Sequence, residues 1–329
     1  MESRGVFWVP LYEVLEERGF EVKLVVARKV KNLSGRKSDV VDCQWLQQLE
    51  SYGLLEGAFR PAHEIVILRG YMRQREMLVP SAATHIQHMQ KALQQMNLRS
   101  ENVISDITGH TGMRILKAII AGERDLNKLA LMRDPRCKSS QEVIAESLVG
   151  NYRAEHLFSL KQAVELLEFY QQKIRECEEE IEKYLKKLPH KREDRPLPME
   201  GREKRSRVCF NVREEAYELE GVELFRIKGL NAETDLRQLS EVWVELGRIP
   251  TEKHLSSWLS LSPERKVSGG KVLSSRRRAS SNRAASAFRQ AGVSVQGSDC
   301  EKGAYYHRMK GRQGGPKAVT ATAHKLACL

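Results

Sequence analysis

The feature that most limits the fold is a long stretch, residues 154–188, in which apolar side chains recur at alternating intervals of three and four. The series is interrupted at Gln171 and Glu178, and its members are Leu157, Leu160, Val164, Leu167, Ile174, Ile181, Leu185 and Leu188. This spacing places one apolar stripe along a single long helix. The helix is predicted to pack either in a coiled coil between protomers or against an antiparallel helix of the same chain, since periodicity does not distinguish the two.

The fold is predicted to be mainly α-helical, with a small α/β portion at the start. A helical pattern over residues 8–18 precedes Gly19, and the β-rich residues 21–26 follow it. A chain that opens with a helix and then a strand is typical of an α/β domain entered in its middle. From Ser38 onward, helical periodicity dominates almost to the end.

A charged segment divides the chain, which at 329 residues is long enough for several domains. Residues 189–212 are rich in proline and charge and show no apolar period, so they are predicted to be a linker. The remaining domains are residues 1–60, which hold the α/β portion, residues 61–188, the helical and coiled-coil region, and residues 213–329, a compact helical domain.

The composition favours a polyanionic partner. The 55 Lys and Arg residues outnumber the 43 Asp and Glu residues, giving a formal net charge of +12. The six cysteines are scattered without zinc-ligand spacing, which is typical of reduced thiols in a cytoplasmic protein. Because no apolar run reaches the ~18 residues of a membrane helix, no membrane partner is expected.

Basic residues crowd one glycine- and serine-rich segment near the C-terminus. Between residues 265 and 283 there is no acid, and the cations are Arg265, Lys266, Lys271, Arg276, Arg277, Arg278 and Arg283. Arg and Lys match phosphate, and glycines let the backbone approach a ligand. This segment is the best candidate for nucleic-acid binding. Within it, Ser268 is a candidate either for gripping phosphate or, with a base or a metal ion, for attacking a phosphodiester.

Two acids, Asp39 and Asp42, are three residues apart at a predicted helix start. This spacing puts both carboxylates on one helix face, where they are able to share Mg²⁺, as in two-metal nucleases. Taken alone, the pair is better explained as acids that cap the first helical turn.

Several motifs, taken together in their order, resemble those of one protein family. They are the opening MESRG, residues 36–45, residues 105–109, residues 251–276 with SGGKVLSSR at their end, and residues 316–326. The chain resembles the DEDD transposases of insertion sequences, the IS-one-ten group, also known as bridge-RNA recombinases.

The resemblance implies a fold and a chemistry. The family has an N-terminal RuvC-like (RNase H-type) domain with four metal-binding acids, a coiled-coil region, and a C-terminal domain with a nucleophilic serine. Glu2, Asp39 and Asp42 match the second, third and fourth acids, and Ser268 matches the serine. The implied function is Mg²⁺-assisted serine attack on DNA, guided by a structured bridge RNA, in a homo-oligomer joined through the coiled coil.

The resemblance also implies that the first acid belongs to a strand before Met1. We therefore expect the RuvC-like domain to be truncated and the catalytic activity of these 329 residues to be impaired. Two alternatives remain open. One is a non-catalytic, nucleic-acid-binding remnant of a transposase, and the other is a metal-only RuvC-like junction nuclease in which Ser268 has no chemical role.

Overall fold

The structure is a computed structural model of the chain. It describes residues 1–3, 5–26, 39–55, 57–58, 60–99, 106–190, 208–242, 249–264, 266–275, 277 and 282–329, with the backbone alone for Asp39 and Lys266. The chain divides into two compact units, Met1–Ala62 and His63–Leu329.

The first unit contains α1 (Trp8–Glu17) and α2 (Asp39–Ser51). Between them the chain returns to its own start, because Ser3 N donates to Val25 O at 2.9 Å and Val25 N donates to Met1 O at 2.8 Å. Val25 is buried, with 1% of its surface exposed. Lys23 pairs with Glu50 on α2, so the helix is attached to the segment that carries Val25.

The strand predicted over residues 21–26 forms only in part. Within the described residues this segment makes one isolated parallel bridge, Glu2 to Val25. A strand extends only as far as its partner supplies backbone hydrogen bonds, and the partner here is the short segment Met1–Ser3.

The second unit is built on two long antiparallel helices, α3 (His63–Gln95) and α7 (Ala154–Leu185). The start of α3 packs against the end of α7, where Leu68 and Met72 meet Ile181 and Leu185. The apolar stripe of α7 thus faces α3 of the same chain. Its most buried members, each at most 6% exposed, are Leu160, Val164, Leu167, Ile181, Leu185 and Leu188.

Three short helices come between the two long ones in the sequence and share a hydrophobic core with them. They are α4 (His110–Ile120), α5 (Leu126–Leu131) and α6 (Gln141–Ser147). The Asp125 carboxylate accepts from the backbone at the start of α5, and the Ser140 hydroxyl accepts from Val143 N at the start of α6. Ile115, Leu129 and Ile144 then bury their side chains together with α3 and α7.

The C-terminal part of the unit is also helical. It contains α8 (Val212–Glu220), α9 (Ala232–Glu241), α10 (Glu252–Trp258), α11 (Arg283–Ser294), α12 (Glu301–Gln313) and α13 (Gly315–Ala327). Single 3₁₀ turns, Leu224–Arg226 and Val295–Gly297, follow α8 and α11. A β-carbon at Gly292 of α11 would stand 3.0 Å from Val319 O of α13, so glycine allows these two helices to approach closely.

These elements confirm a mainly α-helical protein. The described residues include no helix long and apolar enough to cross a membrane. All six cysteines are free thiols. The core of the predicted linker, residues 191–207, lies outside the described residues, whereas Val208 and Phe210 are buried in the cluster formed by the start of α3 and the end of α7.

Candidate nucleic-acid interface and catalytic residues

Ser268 stands at the tip of a small β-hairpin. Strands β1 (Lys266–Ser268) and β2 (Lys271–Ser274) pair antiparallel, and Ser268 is directly opposite Lys271. The turn between them consists of Gly269 and Gly270, with φ of +55° and +74°. Two positive φ angles are what a two-residue type I′ turn requires, and glycine adopts them without strain.

The tip of the hairpin is open to a ligand. Ser268, Gly269, Gly270 and Lys271 are all exposed, and apart from adjoining residues no described atom lies within 4 Å of where a β-carbon would stand on either glycine. A hydroxyl, a lysine and unobstructed backbone are thereby presented together. The arrangement suits contact with a phosphodiester, because the hydroxyl and the cation point from neighbouring positions of one turn.

The base of the hairpin is tied to the helical domain. Pro263 and Arg277 form an isolated antiparallel bridge that continues the pairing beyond the two strands. Just before it, the hydroxyls of Ser256 and Ser262 hydrogen-bond at 2.9 Å, which attaches this segment to α10. The hairpin is thus held at its base while its tip projects.

The seven predicted nucleic-acid-binding residues differ from one another in their surroundings. Arg265, Arg276 and Arg278 lie outside the described residues, as does the Lys266 side chain. Lys271 and Arg277 are exposed. Arg283, the first residue of α11, pairs with Glu76 of α3, and the same carboxylate also pairs with Arg237 of α9.

Arg289 on α11 is a basic residue that the sequence did not single out. Its Nη1 atom is buried and has no hydrogen-bond partner among the described residues. Burial and the neighbouring charge of Arg277 both lower the pKa of this guanidinium. Its environment became visible only in three dimensions, because the sequence around it, SAFRQAG, reads as an ordinary amphipathic helix.

The three acids that the sequence proposed all belong to the first unit. Glu2 is half-buried, and its backbone is fixed by the parallel bridge to Val25. Asp39 and Asp42 are both in the first turn of α2, so their spacing does place them on one face of a helix. Asp42 is exposed, and the Asp39 side chain lies outside the described residues.

The positions of these acids show whether the described side chains form a binding site for a divalent metal ion. Among the described side chains, which include Glu2 and Asp42 but not Asp39, no three His, Cys, Asp or Glu residues come together as a metal-binding group. Glu2 and Asp42 alone therefore do not form a complete site. Asp39, whose side chain lies outside the described residues, is the third predicted metal-binding acid of this unit.

Comparison with known families identifies the class of protein. Residues 223–307, which contain the serine hairpin, match the family model described as "Transposase IS116/IS110/IS902 family". Residues 1–98, which contain the three acids, match the DEDD model of the IS110 type, described as "Transposase". Among curated proteins none matches the chain.

The protein is therefore a transposase. The chain belongs to the IS110-type transposases of insertion sequences, since both of its ends match domains of that family. Its substrate class is DNA, and the DEDD family generally uses a divalent metal ion.

Proposed function

We propose that this transposase joins and exchanges DNA strands through attack of the Ser268 hydroxyl on a DNA phosphodiester. The Ser268 oxygen would form a bond to phosphorus while one phosphorus–oxygen bond of the DNA breaks. The released DNA end would leave as a hydroxyl that carries the proton displaced from serine, so the exchange is balanced. Rejoining to a different DNA end would reverse the step.

The observation that carries this proposal is the position of Ser268. The hydroxyl is exposed at the tip of a two-residue glycine turn, directly across from Lys271, inside the segment that matches the transposase model. A nucleophile that must reach into a DNA duplex needs such projection, and a neighbouring cation offsets negative charge on the attacked phosphate.

The acids Glu2, Asp39 and Asp42 are proposed to hold Mg²⁺. Carboxylate oxygens are the ligands that this ion prefers, and the pairing of Asp39 and Asp42 on one helical turn supports their sharing it. When bound, the ion would polarise the phosphate oxygens of the DNA. The residues themselves supply the anionic oxygens, with Glu2 held in extended backbone beside Val25.

The remaining elements of the proposal concern partners. Lys271 and Arg277, with Arg265, Lys266, Arg276, Arg278 and Arg283, are proposed to contact the nucleic-acid backbone, and a structured guide RNA is proposed to select the target. The net charge of +12 supports both polyanionic partners.

A homo-oligomer through the long helical hairpin is also proposed. The apolar stripe of α7 is occupied by α3, so such an assembly would use other residues. Phe158 and Phe169 remain 63% and 54% exposed on α7 and are available for it.

The serine step is tested by trapping covalent protein–DNA adducts. The protein is incubated with labelled donor and target DNA, Mg²⁺ and the cognate guide RNA, and adducts are resolved under denaturing conditions. We expect Ser268→Ala to abolish the adduct while leaving DNA affinity unchanged. The matched control is Ser257→Ala, which removes an exposed hydroxyl on α10, outside the hairpin.

The same assay separates the alternatives. Mg²⁺-dependent cleavage that persists in Ser268→Ala would identify a metal-only junction nuclease and would contradict the serine step. DNA binding by the wild-type protein without cleavage or adduct would identify a non-catalytic nucleic-acid-binding protein.

A further inference from the structure

A hollow on the surface of the C-terminal domain is lined by a cation, Arg289, for which the described residues supply no counter-charge. The hollow measures about 350 Å³ and lies on α11 and α13; its lining residues are Ser286, Arg289, Gln290, Val293, Ser294 and Val319. No acid is among them. Its volume falls in the range of small-ligand sites, although it is shallow.

Arg289 is the unusual member of this set. In the part of the chain that the structure describes, its buried Nη1 has no hydrogen-bond partner, and a buried charged donor left unpaired costs free energy. Elsewhere in the domain, Arg237 and Arg283 are both compensated by Glu76. The charge that acts on Arg289 is instead that of another cation, Arg277.

Two polar residues near Arg289 on α11 also line the hollow. Ser286 is three residues before Arg289 on α11, which puts both side chains on one face. Gln290 Oε1 accepts a hydrogen bond from Arg237 Nη1 at 2.8 Å. Because its oxygen is engaged in this way, the amide nitrogen is the end of Gln290 that remains to donate.

We propose that Arg289 and Arg277 together hold one phosphate group of the nucleic-acid backbone at the base of the serine hairpin. A guanidinium fork matches the oxygens of a phosphate, and an anion between two arginines converts their repulsion into attraction. The inference rests on the proposed function, since it assigns this site to the same nucleic acid that the hairpin would contact.

The position of the site gives it a role. Arg277 pairs with Pro263 at the base of the hairpin, whereas Ser268 stands at its tip. A phosphate held at the base would fix the register of the strand along the hairpin. Arg289 is thus a positioning residue for substrate, distinct from the serine that would react.

The test compares three substitutions by fluorescence anisotropy on duplex DNA and on single-stranded RNA over a range of salt concentrations. Arg289→Gln removes the guanidinium, and Arg289→Lys retains the charge without the fork. Arg312→Gln is the matched control, because Arg312 is an exposed cation at the end of α12 and is not one of the hollow's lining residues.

We expect Arg289→Gln to weaken binding about tenfold or more, as befits loss of a charge-assisted hydrogen bond. In Arg289→Gln the slope of log affinity against log salt should fall by about 0.9 on duplex DNA, the value for one phosphate contact. Arg289→Lys keeps the charge, so its slope should stay near that of the wild type while its affinity is intermediate. Arg312→Gln should have a clearly smaller effect. Whichever nucleic acid loses affinity is the source of the phosphate.

Thermal unfolding distinguishes binding from a structural role. Because Arg289 is half-buried and only its Nη1 atom is enclosed without a partner among the described residues, removing the guanidinium should leave the melting temperature of Arg289→Gln equal to or above that of the wild type. Millimolar inorganic phosphate should stabilise wild type and Arg312→Gln but not Arg289→Gln.

Equal affinity and slope for Arg289→Gln and wild type would overturn the site. A lowered melting temperature in Arg289→Gln, restored by Arg289→Lys without recovery of phosphate stabilisation, would overturn it as well. In both cases adduct formation by Ser268 would be unaffected, so the proposed function would stand. If wild-type protein binds neither nucleic acid, the proposed function fails together with this inference.

Discussion

Arg75 of α3 donates from Nε to Glu178 Oε1 of α7 at 2.8 Å, and the two side chains are only 6% and 2% exposed. The second oxygen of Glu178 accepts from Cys209 N at 2.9 Å. The acid that interrupts the apolar stripe of α7 is therefore compensated on both oxygens. It joins the two long helices to the chain that leads into α8.

Removal of one member of this pair should strongly destabilise the protein. Arg75→Met leaves Glu178 as a buried charge, and we expect the free energy of unfolding to fall by ~3–5 kcal/mol. The combined change Arg75→Met with Glu178→Leu should recover most of this loss. Urea unfolding followed by circular dichroism measures both. Glu180→Gln, which breaks an exposed pair with Lys183, is the control and should have no measurable effect.

The stripe of α7 should behave as a core within one chain. Leu160 and Leu167 are at most 1% exposed, so Leu160→Glu with Leu167→Glu should unfold the helical hairpin instead of giving a helical monomer. Leu160→Ala alone should cost ~2–5 kcal/mol. Phe158→Ala, at a residue 63% exposed, should cost little. A double variant that stays fully helical and merely becomes smaller in sedimentation would contradict this packing.

Asp235 on α9 should make stability depend on pH. Burial raises the pKa of this carboxyl to about 7, and the described residues supply no hydrogen-bond partner to either of its oxygens. Because the folded pKa exceeds the unfolded one, the protonated acid stabilises the fold at low pH. That stability is lost as pH rises from about 4 to 7.

Substitution of Asp235 isolates this effect. Asp235→Asn does not titrate, so its stability relative to wild type should increase across the same window, by up to a few kcal/mol at ~1.4 kcal/mol per pKa unit, and then level off. Melting temperatures at pH 5 and pH 8 provide the measurement. A difference that is the same at both values would show that Asp235 is charged throughout.

The basic segment, residues 265–283, should contribute equally to the binding of nucleic acids of different sequence. Replacing Arg276, Arg277 and Arg278 together with alanine should weaken binding to unrelated sequences to a similar extent, because phosphate contacts carry no base information. Each lost contact should lower the salt slope by about 0.9 on duplex DNA. Unchanged salt slopes would contradict the prediction that this segment contacts phosphates.

Cleavage should depend on the carboxylates of the first unit. Asp42 lies with Asp39 in the first turn of α2, and carboxylate oxygens are the ligands that Mg²⁺ prefers. We expect Asp42→Asn to lower Mg²⁺-dependent cleavage strongly, whereas Glu17→Gln, which changes an exposed acid at the end of α1, should leave it unchanged. Equal Mg²⁺-dependent cleavage by Asp42→Asn and wild type would contradict this ligand set.

The sequence predicted the helices better than their partners. The stripe of α7 identified a long helix, yet only the structure shows that α3 covers it, because periodicity describes one face and not what lies against it. The β-rich residues 21–26 predicted a strand, whereas they form one bridge, since strand formation depends on a distant partner.

The candidate site shows the same limits. The sequence placed Gly269 and Gly270 in a segment whose backbone can approach a ligand, and both adopt positive φ in an exposed turn. That this turn joins two β-strands was not predicted. The cation Arg283, however, pairs with Glu76, which is 207 residues away in the chain. Likewise, the described residues place no counter-charge beside Arg289. This depends on tertiary packing, so the local sequence does not predict it.

Glu76 carries a wider consequence. One carboxylate on α3 neutralises Arg237 of α9 and Arg283 of α11, and Arg237 in turn hydrogen-bonds Gln290 beside Arg289. A single-nucleotide change that replaced this acid with lysine would set three cations against one another where three helices meet. Genetic tolerance should therefore be lower at Glu76 than at the exposed acids of α7, and a screen of random mutants for loss of transposition should recover it often.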